Sequence, residues 1–220
     1  MLGLARRTAI LAIAAIGLVG AAGCTSSTGG QASGSSMVAA PAAKATARLQ
    51  WRPVLKVDGP SMSATAQVPG QQLEQVKAER QSTDPATQSR SFEQLDCPRM
   101  TSDPLLGHDD PALPLVTCDT DSRSRYLLGP VFLDGTEVSS VSIGHGQDGK
   151  DVVDLNFTAQ GTKTWADYTT KNTGEQVAIV VGALVVSAPR INTPIVGGAT
   201  QITTGVGQDA RSLVDKITAK

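Results

Sequence analysis

The chain alternates between two periodicities once its N-terminal fifth is passed. Leu49 and Trp51 alternate with polar neighbours, and Val54, Leu55 and Val57 follow, so Arg48 to Val57 predicts a strand that Pro53 confines to an edge or a bulge. Gln71 to Gln81 predicts a short helix, with Leu73 and Val76 three apart, and Ser82 to Gln88 predicts its break. Phe92 and Leu95 suggest one more helical turn before Cys97. Tyr126 to Leu128 predicts a strand ending at Gly129-Pro130, Asp134-Gly135 a turn, and Val138 to Ile143 the next strand. Val153, Leu155 and Phe157 alternate with Asp154, Asn156 and Thr158, the pattern of a half-buried strand. Thr158 is placed to cap a helix that runs to about Thr173 and stops at Gly174, with Trp165, Ala166 and Tyr168 as its apolar face. Gln176 to Val181 and Leu184 to Ser187 flank Gly182-Ala183 as a hairpin, although Gly-Ala is a weaker turn signal than Asn-Gly. Thr200 to Thr203 predicts a last strand, and Ala210, Leu213, Val214 and Ile217 an amphipathic helix. These elements make an α+β domain: a mixed or antiparallel sheet with two main helices packed on one face.

The N-terminus follows a different rule. Arg6 and Arg7 precede an uncharged, mostly apolar run from Ala9 to Gly23. That run is short of the roughly 20 residues a bilayer span requires and has the form of a secretory signal. It ends Ala21-Ala22-Gly23-Cys24, small residues directly before a cysteine, which resembles the lipobox of bacterial lipoproteins with Cys24 as the lipidated residue. Arg6-Arg7 also opens a twin-arginine reading, but Thr8-Ala9-Ile10 matches that pattern poorly. Residues 24–45 are rich in Ser, Gly and Ala and read as a flexible tether. The expected organisation is a lipoprotein signal over 1–23, the tether over 24–45, a leading strand with short helices and a cysteine-bounded loop over 46–125, and the α+β core over 126–220. The expected location is the extracytoplasmic face of the cell membrane, held by lipid.

Composition narrows the chemistry. Nineteen basic and 20 acidic residues give a net charge of −1, which offers no electrostatic case for nucleic acid. Two His leave little for imidazole catalysis or metal binding. His108 precedes Asp109-Asp110, and His145 sits between two glycines with no nucleophile motif nearby. Asp151 and Asp154 are three apart at a strand start and point to opposite faces, so they do not form a carboxylate pair. Neither a Gly-x-Ser-x-Gly elbow nor a phosphate-binding loop occurs. The expectation is a non-enzyme without cofactor or metal. With Cys24 lipidated, Cys97 and Cys118 remain as an even pair in an exported chain, which reads as a disulfide closing a loop of about 20 residues.

One ordered set of segments resembles a known family. Tyr126 to Pro130, Val153 to Thr158, Trp165 to Thr169, Gln176 to Pro189, then Ile195 to Gly198 and Ile202, resemble the head subdomain of the first periplasmic domain of SecD, the export-assisting membrane subunit of the Sec translocase. Leu49 to Val54, and Phe92 to Cys118 with both cysteines, resemble the actinobacterial form. Ser187 to Ile191 followed by Gly197-Gly198 is the most specific piece. The hairpin departs from the family, with Val181-Gly182-Ala183 where SecD usually has Leu-Asp-Gly. The resemblance implies a SecD head on a lipid tether, without the membrane helices that couple SecD to the proton gradient. It implies translocated polypeptides or Sec translocase subunits as partners. Gly182, Gly197 and Gly198 are the candidate contacts, where little side chain blocks a backbone adding as a strand. The competing expectation is a repurposed envelope interaction lipoprotein unrelated to Sec translocation.

Overall fold

A computed structural model describes residues 43–46, 48–59, 72–97, 103–121, 123–203 and 209–219. The expected signal, Cys24, most of the expected tether and residues 60–71 lie outside them. Among the described residues nine strands and four α-helices follow in order: β1 (Leu49–Asp58), α1 (Leu73–Arg80), α2 (Pro85–Gln94), β2 (Leu115–Cys118), β3 (Arg125–Leu128), β4 (Leu133–Asp134), β5 (Val138–His145), β6 (Asp151–Phe157), α3 (Ala159–Lys171), β7 (Val177–Val181), β8 (Leu184–Ser187), β9 (Ala199–Thr203) and α4 (Ala210–Thr218). The fold is α+β, as the periodicities predict.

The strands divide between two sheets. Six form a sheet ordered β2-β3-β1-β7-β8, with β4 also on β1, and three form a second sheet ordered β5-β6-β9. All ladders between named strands are antiparallel, and one parallel bridge joins Asp119 to Val185. That bridge brings the two outer strands β2 and β8 together, so the larger sheet curls on itself. Contrary to the edge-strand expectation, β1 is interior. Pro53 sits where the flanking partner changes from β4 to β3, beside a register shift between Val54 and Lys56, so the bulge alternative holds.

Alternation along β1 sends side chains to both faces. Leu49 and Trp51 enter the main core with Ile179 of β7, Leu155 of β6, Trp165 of α3 and Leu213 and Ile217 of α4. Trp51 meets Phe157 edge-on with ring centroids 5.4 Å apart and Trp165 at 6.4 Å, so both tryptophans are core residues. On the opposite face Ala178, Val180, Leu115 and Leu128 pack against Val76 of α1. A third cluster joins Phe92 of α2 to Val116, Cys97 and Cys118.

Local signals account for most element ends. The Thr158 hydroxyl accepts from the Gly161 N–H at 3.0 Å, capping α3 as expected. The expected break at Ser82–Gln88 is instead the start of α2. Asp84 accepts from the Thr87 N–H at 2.8 Å and Pro85 occupies the first helical position, where its missing N–H costs no bond. The hydrogen bonds from Thr87 hold the Asp84 carboxyl below its ordinary pKa. A depressed pKa means that the cap is present at neutral pH and is lost as pH falls through the depressed value. An NMR titration following the Thr87 amide is expected to return a midpoint below that of an unstructured aspartate; an ordinary midpoint would remove the cap.

Candidate interaction surfaces

The hairpin joining β7 to β8 turns through Gly182 at φ +58° and Ala183 at φ +71°. Two successive positive φ values match the right-handed twist of a two-residue hairpin. Gly182 does not present a free backbone. Its N–H donates to the Arg48 carbonyl at 3.2 Å and its carbonyl accepts from Gly107 N–H at 3.2 Å. Instead it lines a cleft of about 400 Å³ with Leu106, Leu184 and Val186, and with the exposed side chains of Arg48, His108 and Lys216.

Gly197 and Gly198 do not line that cleft; they lead into β9 of the smaller sheet. Gly198 accepts from Phe157 N–H at 2.8 Å, and a Cβ there would sit 3.0 Å from the Thr162 hydroxyl. The preceding loop is tied to α3, where the Thr169 hydroxyl accepts from the Ile195 N–H at 2.9 Å. Gly197 is open, and its neighbour Val196 is 72% exposed. The three glycines selected from sequence thus belong to two separate places.

The imidazoles are also apart. His108 lines the cleft, while His145 lies 3.0 Å from Asp151 across the β5–β6 ladder, with both side chains exposed. Asp154 accepts from Gln201 at 2.8 Å. Among the described residues no three His, Cys, Asp or Glu gather as a metal site, and no helix is long and apolar enough to cross a membrane.

Sequence reasoning missed the strongest electrostatics. Asp109 and Asp110 read as loop residues, yet Asp109 pairs with the fully buried Arg52 of β1 at 2.8 Å. The same guanidinium donates to the carbonyls of Leu113 at 2.8 Å, Gly129 at 3.1 Å and Asp110 at 3.2 Å. Burial lowers the Arg52 pKa and Asp109 opposes that shift. A second buried pair joins Arg80 of α1 to Asp103, and Arg80 also donates to the Val116 carbonyl at 2.8 Å. Both carboxylates sit in the loop closed by the Cys97–Cys118 disulfide, which forms as expected. An unexpected arginine in the strand pattern, at the polar position between Trp51 and Pro53, was the available signal.

Known proteins match part of this chain. The SecDF P1 head subdomain family matches residues 114–218. Over 102 residues the chain is 46% identical to protein translocase subunit SecD of Mycobacterium tuberculosis, covering 46% of this chain and 18% of that protein. It is 40% identical over 75 residues to SecD of Acidaminococcus fermentans, covering 34% and 18%. The chain therefore spans under a fifth of the length of these curated relatives. A solved structure of SecDF, described as a membrane component that enhances protein export, is 22% identical with a TM-score of 0.42, covering 80% of this chain and 61% of that one.

Proposed function

We propose that this chain, which carries a SecDF P1 head-like domain over residues 114–218, is a non-catalytic polypeptide-binding module linked to protein export. Lipid on Cys24 would hold it at the extracytoplasmic face of the cell membrane. The observation that carries the reading is the 46% identity to a protein translocase subunit over 102 residues. The cleft beside Gly182 and the loop at Gly197 supply two surfaces for contact. The residues around Cys24 support the anchor, since two acyl chains suffice for stable membrane attachment.

The test is photo-crosslinking in the producing cell, with photoreactive residues at Leu184 and Val196. Adducts with Sec subunits or with many secreted chains are expected; adducts with a single unrelated envelope protein would overturn the export link. The anchor is tested separately. Wild-type protein is expected to take up labelled fatty acid and sediment with membranes, and Cys24→Ser to lose both. Sedimentation of the variant with membranes at the wild-type level would remove the lipid.

A further inference from the structure

The smaller sheet ends in an edge whose outward groups follow from the register. The Phe157 N–H donates to Gly198, so these two form a hydrogen-bonded pair of the β6–β9 ladder. Such pairs alternate in an antiparallel ladder. Thr200 opposite Leu155 and Ile202 opposite Val153 therefore bond inward to β6. Ala199, Gln201 and Thr203 turn their N–H and C=O groups away from it. Among the described residues no strand takes up those groups.

Two other outer edges are met at least in part. β8 receives Thr120 N–H on the Val185 carbonyl at 2.9 Å, and the Thr117 hydroxyl of β2 donates to the Ala183 carbonyl at 2.5 Å. β5 exchanges two bonds with Ala43, at 3.1 and 2.7 Å. Natural edge strands are commonly blunted by Lys, Pro or a bulge. β9 reads Ala-Thr-Gln-Ile-Thr and contains neither residue, nor does its ladder shift register.

We propose that the β9 edge is a strand-addition site for an extended segment of unfolded polypeptide, an inference that rests on the polypeptide-binding reading above. The guest backbone would bond to Ala199, Gln201 and Thr203. Its alternate side chains would continue the inner face that carries Ile202, which is 1% exposed, so the guest suits apolar residues at every second position. The neutral side chains of β9 set no charge requirement, as a site accepting many sequences needs. A second copy fits less well. Three outward residues bury far less than the roughly 1,200 Å² at the lower end of stable interfaces.

The full chain is mixed with a labelled decapeptide alternating Val and Thr, and with the same peptide N-methylated at alternate backbone nitrogens. The unmethylated peptide is expected to bind and to slow hydrogen exchange at residues 199, 201 and 203. Methylation is expected to weaken binding roughly 10-fold, the loss of one or two backbone hydrogen bonds. Gln201→Pro should do the same with only a small drop in melting temperature, because proline is tolerated where the N–H faces outward and the side chain loses one exposed hydrogen bond, to Asp154. Equal binding of the methylated peptide, or protection at the Gly182 hairpin instead, overturns the site. A dimer of the free chain that Gln201→Pro dissolves overturns it in favour of self-pairing. If the chain crosslinks to secreted polypeptides in cells but the peptide leaves β9 unprotected, the site fails and the proposed function stands. If the peptide protects β9 but no secreted chain crosslinks, the site stands and the export role fails.

Discussion

Arg52→Ala is expected to lower stability by about 3–5 kcal/mol, the cost of breaking a buried ion pair from one side. The guanidinium is fully buried and holds five acceptors, Gln50, Asp109, Asp110, Leu113 and Gly129. Truncation leaves the Asp109 carboxylate, 4% exposed, without its cation, and strips three loop carbonyls of a donor. Replacing both partners by apolar residues of similar volume, Arg52→Met with Asp109→Leu, should recover part of the loss, because no lone buried charge then remains. Urea unfolding checks this. A midpoint shift worth under about 1 kcal/mol for Arg52→Ala would show that water reaches the pair and that the clamp is not what holds the loop.

Removing the disulfide is the second large effect. Cys97→Ala with Cys118→Ala is expected to cost about 3 kcal/mol, from the chain entropy released when a loop of about 20 residues opens in the unfolded state. Both cysteines are buried beside Phe92 and Val116, so a smaller packing loss adds to it. The two effects should not add. Asp103 and Asp109 approach Arg80 and Arg52 from within the loop that the disulfide closes. A double-mutant cycle between Arg52→Ala and the cysteine pair is expected to give a coupling of roughly 0.5–3 kcal/mol. Simple additivity would mean that the ion pairs form at the same cost in an open loop.

The fold was legible in outline because its core elements have clean periods. β6 alternates from Val153 to Phe157, α4 places Leu213 and Ile217 on one stripe, and Thr158 announces α3. What stayed hidden were features decided by distant partners. β2 is only four residues long, all buried, and no alternation marks it. Pro53 reads as an edge residue because local rules cannot see that β1 changes partners there. Asp84-Pro85 reads as a break when it is a cap. The candidate site divides in the same way. Turn glycines are visible in sequence, and the resemblance to SecD selects which of them to watch. Whether their backbone groups are free depends on Arg48 and Gly107 at one place and on Phe157 at the other, all remote in sequence. The outward ladder of β9 follows only from pairing register.

The interior position of β1 also sets an order of events. The strand lies early in the chain, yet its ladder with β7 pairs residues roughly 130 apart, and β3 and β4 come from the intervening segment. A ribosome, or a channel that releases the N-terminus first, delivers Leu49 and Trp51 well before Val181 and Ile179 exist to receive them. During that interval the strand that ends up most enclosed is the one longest without neighbours. A fragment cut at the family boundary, residues 114–218, would meet the converse problem: β3 and β7 would be present with nothing to lie between them. The segment matched by the family thus lacks the strand on which β3 and β7 both pair, and a fragment meant to isolate the domain needs to begin ahead of β1.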